Sequence, residues 1–191
     1  MRSSADAVRE AAHEPRRAAL RRRTELGLLT AASLVLFVFE SFLPSPVPWL
    51  KIGLANIVTV TVLARDGFRA ALAVTLVRVV IGSLLLGSFL SPAFLLSLSG
   101  ALVALAAMAA ARAAAPRLLS VVGVSIVGAV GHNVGQLAVV AVLFLRAREV
   151  FHLLPYLTLS ATLVGVLTGL SARALTTYLE TRRGGRHGHR T

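Results

Sequence analysis

SVVGVSIVGAVGHNVGQLAVVAVLFL, residues 120–145, is the stretch whose reading decides the fold. Its two ends are almost unbroken hydrocarbon. In its middle three hydrogen-bonding side chains, His132, Asn133 and Gln136, fall within five residues. A helix needs about 20 predominantly apolar residues to cross the hydrocarbon core of a bilayer, and this run is long enough. His132 and Gln136 stand four positions apart and so share one helix face. Imidazole and carboxamide inside lipid need a reason.

The rest of the chain has the same character. Of 191 residues 56% are hydrophobic and only 15% charged, a balance that excludes an ordinary soluble domain and suits an integral membrane protein. The formal charge of +12 would suggest nucleic acid if it were spread over a face. Instead the arginines gather in the termini and short connections, where they meet lipid headgroups and set orientation, so no nucleic-acid partner is expected. Cysteine is absent, which removes disulfides and thiolate metal sites. No small-residue cleavage site precedes a soluble domain, so a cleaved signal peptide is not expected.

The pattern predicts an all-α, polytopic bundle of six transmembrane helices. The spans read as Glu25 to Leu43, Ile52 to Ala64, Ala70 to Leu90, Ala93 to Ala111, Leu118 to Leu145 and Leu153 to Leu175. The second is short, about 20 Å at helical rise, and must lean on protein neighbours or begin with an unwound stretch. A basic N-terminal segment (1–23), a membrane domain (24–178) and a basic flexible tail (179–191) complete the organisation. Sixteen of the 20 Lys and Arg residues fall on one side of this topology and three on the other, with Arg78 inside a span. The positive-inside rule then places both termini in the cytoplasm of a multi-pass cell-membrane protein. Small-xxx-small pairs at Gly131/Gly135, Gly165/Gly169 and Gly27/Ala31 suit close helix contact in lipid.

Depth follows from orientation. Glu40, Lys51, Asn56, Arg78, His132, Asn133, Gln136 and Tyr156 all map to the outer half or the midplane. Pro44, Pro46 and Pro48, followed by Trp49, make the first outer loop stiff and non-helical. The expectation is a polar cavity open to the outside, with this loop as its lid. The plainer alternatives stay open. The three polar residues near 132 can be interhelical glue, Arg78 can pair with Glu40, and Lys51 can snorkel to the interface. Ser97, Ser99, Thr59 and Thr61 are set aside as satisfied by their own helix backbone.

These residues also carry a resemblance. ESFLPSPVPWLKIGLANIVTV (40–60), the arginine in TLVRVVIGSLL (75–85), LSLSGALVALAAM (96–108), GVSIVGAVGHNVGQLAVV (123–140) and LLPYLTLSATLVGVLTG (153–169) resemble the Gx transporter family, catalogued as heptaprenyl diphosphate synthase component I. That family is similar to the substrate-binding S components of energy-coupling factor (ECF) vitamin transporters. The resemblance implies six membrane helices and a loop after the first helix that closes a pocket at the outer side. It also implies a transmembrane coupling subunit and cytoplasmic ATPases as partners. S components dock through small residues on the first helix, and the nearest equivalent here is Gly27 with Ala31.

Prenyl diphosphate synthesis needs Mg²⁺ held by clustered carboxylates. The eight acidic residues are scattered, with no DDxxD-like pair, and no Walker A sequence occurs. The chain is therefore expected to be no enzyme by itself and to need neither cofactor nor metal. The leading expectation is a subunit that captures a small solute for ATP-driven uptake. The alternative is a non-catalytic membrane accessory of isoprenoid or quinone synthesis.

Overall fold

The computed structural model describes residues 4–43, 53–145, 152 and 154–184. Among them the regular structure is helical: α1 Ser4–Ser41, α2 Leu54–Asp66, α3 Phe68–Leu85, α4 Pro92–Ala114, α5 Val121–Val139 and α6 Leu154–Gly184, with a π-helical turn, Val140–Leu145, prolonging α5. The all-α reading holds. Among the described residues five segments are long and apolar enough to cross a membrane: Arg16–Ser41, Phe68–Leu85, Pro92–Ala114, Val121–Val142 and Pro155–Thr181. The short second helix is not among them.

Local chemistry sets the ends of the helices. Ser91 and Ser120 cap α4 and α5 by accepting from the N–H groups of Phe94 and Gly123, and Pro92 occupies the first position of α4. α3 stops five residues before the expected Leu90, because Gly87 and Leu90 take positive φ in a turn. α1 runs unbroken through the expected boundary at Arg23, and α6 runs past residue 179. Alanine, leucine and arginine are strong helix formers, so a polar extension costs a membrane helix little.

Lipid tails are as apolar as leucine, so helices in a bilayer gain by close packing rather than by leaving water. α5 does this on two sides, lying between α4 and α6. A Cβ added at Gly135 would stand 2.7 Å from Ser99 O on α4, and one at Gly165 of α6 would stand 2.6 Å from Ile126 Cα on α5. Neither distance is possible, so glycine is what permits these contacts. α1 packs on α2 and α3, and α3 also meets α4.

α2 closes the bundle from within. It touches α1, α3, α5 and α6. Val58 to Leu63 are all buried, and six consecutive residues cover every face of a helix with 3.6 residues per turn. A helix without a lipid face need not span the bilayer, which is why 13 residues suffice. Leu28, Val35 and Phe39 on α1 and Leu163, Leu167 and Leu170 on α6 are exposed instead, as a hydrocarbon solvent requires.

Polar ties fix the C-terminal end of α2. Arg112 on α4 donates to Leu63 O (2.7 Å) and Ala64 O (2.9 Å), two carbonyls left open by the helix end. Arg65 reaches Glu25 at 3.3 Å, and Asp66 reaches Arg22 at 3.0 Å. The basic connections of the sequence thus meet at one end of the bundle.

Candidate functional site

At the other end of α2 lies a cavity of about 60 Å³ to which all six helices contribute. Glu40 arrives from the last turn of α1, Asn56 from the first turn of α2, Arg78 from the middle of α3, Ser97 from α4, His132 and Asn133 from α5, and Thr168 from α6. Phe37, Val79, Ala129, Ala161 and Val164 supply apolar wall.

Glu40 is buried and accepts a hydrogen bond from the backbone N–H of Gly53, the residue before α2. Gly53 has φ +79°, a left-handed conformation that glycine adopts without steric cost. The carboxylate therefore stands at a helix N-terminus, where free N–H groups favour negative charge. Arg78 is 5% exposed, and its Nε–H has no hydrogen-bond partner. A guanidinium N–H left open in a dry interior is costly unless an acceptor arrives. Asn133 is buried, and its Nδ2 donates to Leu157 O on α6 at 2.9 Å. It lines the cavity and also joins two helices.

Five of the eight polar residues singled out in the sequence meet here: Glu40, Asn56, Arg78, His132 and Asn133. Two do not. Gln136 is buried, but it lies against α4, with its Cγ 3.0 Å from where a Cβ on Gly100 would stand, and it does not line the cavity. Its neighbour His132 touches the same glycine and still reaches the cavity, so one turn of helix separates the two roles. Tyr156 is 75% exposed on the outside of α6. Lys51 and the lid residues Pro44, Pro46, Pro48 and Trp49 lie outside the described residues. Gly27 and Ala31 are exposed on α1 away from the cavity, and a Cβ on Gly27 would meet nothing within 4 Å.

Ser97 and Thr168 were not among the expected site residues, yet both line the cavity. Thr168 Oγ1 lies 2.8 Å from Ser125 Oγ and also donates to Val164 O, a hydroxyl chain between α5 and α6. A signal for each existed in spacing. Ser97 stands three residues before Gly100 and Thr168 three after Gly165, on helix faces where backbones come close.

With the geometry in place, comparison with known families is decisive. A family profile described as heptaprenyl diphosphate synthase component I matches residues 29–175. The chain belongs to that family. The matched region runs from α1 into α6 and contains the whole cavity. The description speaks of a component, which implies a system of more than one part. Searches of curated proteins and of solved structures return no match. Among the described residues no three His, Asp or Glu side chains come together as a metal site would need.

Proposed function

We propose that this component I family member is the substrate-binding subunit of an uptake system, an S-component-like bundle of six helices in the cell membrane with both termini in the cytoplasm. It captures a small polar solute from the outer side. One observation carries the reading: a buried arginine with an open Nε–H, set with the Glu40 carboxylate and several neutral hydrogen-bonding groups in a hollow built by every helix. Interhelical glue alone does not call for a guanidinium N–H left open, whereas a guest with an oxygen acceptor satisfies it.

Room limits the guest. About 60 Å³ holds a few water molecules or a group of carboxylate size, well below the several hundred Å³ of a pocket for a drug-sized molecule. The cavity thus reads a compact, electron-rich group, with Arg78 neutralising it and Asn56, Ser97 and His132 orienting it. The proline loop from Pro44 to Pro48, with Trp49, acts as the lid, and Lys51 assists Arg78. No Walker A sequence occurs in the chain, so an ATP-driven partner supplies the work, and Gly27 with Ala31 marks the α1 face where a coupling subunit docks. The chain itself catalyses no reaction.

A second reading, an accessory membrane component of prenyl diphosphate synthesis, takes the family description at its word. Mass spectrometry of small molecules that co-purify with the protein separates the two. A water-soluble ligand that is lost on Arg78→Ala supports solute capture. A polyprenyl lipid, or no ligand together with a stable complex with a prenyl-transferring enzyme, overturns it.

A further inference from the structure

A second hollow lies at the opposite end of α2, among the basic connections. It measures about 510 Å³, within the usual range of ligand sites. Its walls come from α2, α4, α5, α6 and the connection from α4 to α5. Two cations line it, Arg65 and Arg112. Arg112 spends two of its N–H groups on the carbonyls that end α2. The Arg65 side chain is only 7% exposed, and its Nη2 meets Glu25, but its Nη1 is buried and has no hydrogen-bond partner. The remaining lining is largely apolar, with Leu63, Leu119 and Val124 next to the two guanidiniums. Glu180, exposed on α6, is the carboxylate among the lining residues.

We infer that this hollow is a binding site for the phosphate of an anionic phospholipid. Arg65 already holds the Glu25 carboxylate through Nη2, but its buried, open Nη1 calls for a further oxygen acceptor, and with Arg112 beside it a phosphate fits. The apolar walls fit the glycerol and the first methylenes of the chains. Basic pockets between membrane helices on the side where arginines gather hold such headgroups. The site is separate from the solute cavity and does not depend on how that cavity is used. Its occupant fills the gap beneath the short α2, and so props the helix that begins after Gly53 and carries Asn56.

The test uses the full chain, purified in zwitterionic detergent and examined by native mass spectrometry with added phosphatidylglycerol or phosphatidylcholine. The wild type should retain phosphatidylglycerol preferentially. Arg65→Gln should weaken that retention about tenfold, the worth of one hydrogen bond to a charged group. Arg69→Gln, in the same basic region but outside the lining, should leave it unchanged, and Glu180→Gln should strengthen it. Val121→Trp, which fills the hollow without touching charge, should abolish retention. Competition by millimolar inorganic phosphate, with no preference between the two lipids, would assign the site to free phosphate and overturn the lipid reading. Equal retention of phosphatidylglycerol by wild type, Arg65→Gln and Val121→Trp, each with an unchanged melting temperature, would remove the site altogether. If Arg65→Gln does not fold, the Val121→Trp and Glu180→Gln results decide.

Discussion

The carboxylate of Glu40 accepts a hydrogen bond from the backbone N–H of Gly53, so the end of α1 is tied to the start of α2 across 13 positions of chain. The connection between the two helices therefore begins and ends at one polar contact on the cavity wall. A group that enters the cavity and competes for that N–H, or for Arg78, acts directly on the point where α2 starts.

Replacing the acceptor tests this tie. Glu40→Ala should lower stability by about 1–3 kcal/mol, the cost of leaving a buried partner unsatisfied. Glu40→Gln keeps an amide oxygen that accepts the same bond and should lose less than half of that. Thermal unfolding in detergent measures both. Equal losses would mean that the charge, not the hydrogen bond, matters.

The glycine contact between α5 and α6 makes a prediction opposite to helix propensity. Alanine is a better helix former than glycine by about 1 kcal/mol. Gly165→Ala should nevertheless destabilise by about 1–3 kcal/mol, because its Cβ meets backbone that cannot yield. Gly27→Ala meets open space and should be neutral or slightly stabilising. If both variants shift the melting temperature alike, close packing is not what Gly165 provides.

Arg112 ends α2 by holding two of its last carbonyls. Arg112→Ala should lower stability by about 1–3 kcal/mol. Lysine offers a point charge rather than a fork, so Arg112→Lys should restore only part of it. Hydrogen exchange at the last turn of α2 should rise in the same order, and uniform exchange in all three proteins would count against the role.

Arg78 and Asn133 should separate binding from folding. Asn133→Ala breaks a bond between α5 and α6 and should cost about 0.6 kcal/mol, the average for such contacts in membranes. Arg78→Gln removes a buried cation whose Nε–H is open and should abolish ligand retention while the protein still folds, with a modest loss of melting temperature because the buried Glu40 carboxylate loses the cation. A large loss of stability in Arg78→Gln would make this arginine structural.

Much of this arrangement was legible in the residues. Runs of apolar residues bounded by arginine gave the membrane helices, because hydrocarbon admits little else for 20 residues. Depth counting brought Glu40, Asn56, Arg78, His132 and Asn133 to the outer half or the midplane, and they do share a cavity. Depth alone does not say which way a side chain points. Gln136 has the right depth and faces the glycine groove of α4, and Tyr156 has the right depth and faces outward. Ser97 was passed over because a hydroxyl can always bond its own helix, Thr168 was not singled out at all, and only the neighbouring helices show that both line the cavity.

The sequence by itself determined that this is a helical membrane protein with its basic residues gathered toward one side, since composition and charge placement answer to the bilayer and to no particular neighbour. The tertiary structure decided that the short α2 stands inside the bundle, ringed by its neighbours. It also decided that Arg65 and Arg78 each keep an N–H without a partner. Whether a polar group inside a bundle is satisfied depends on what the adjacent helices bring within 3 Å or so, and no single helix carries that information.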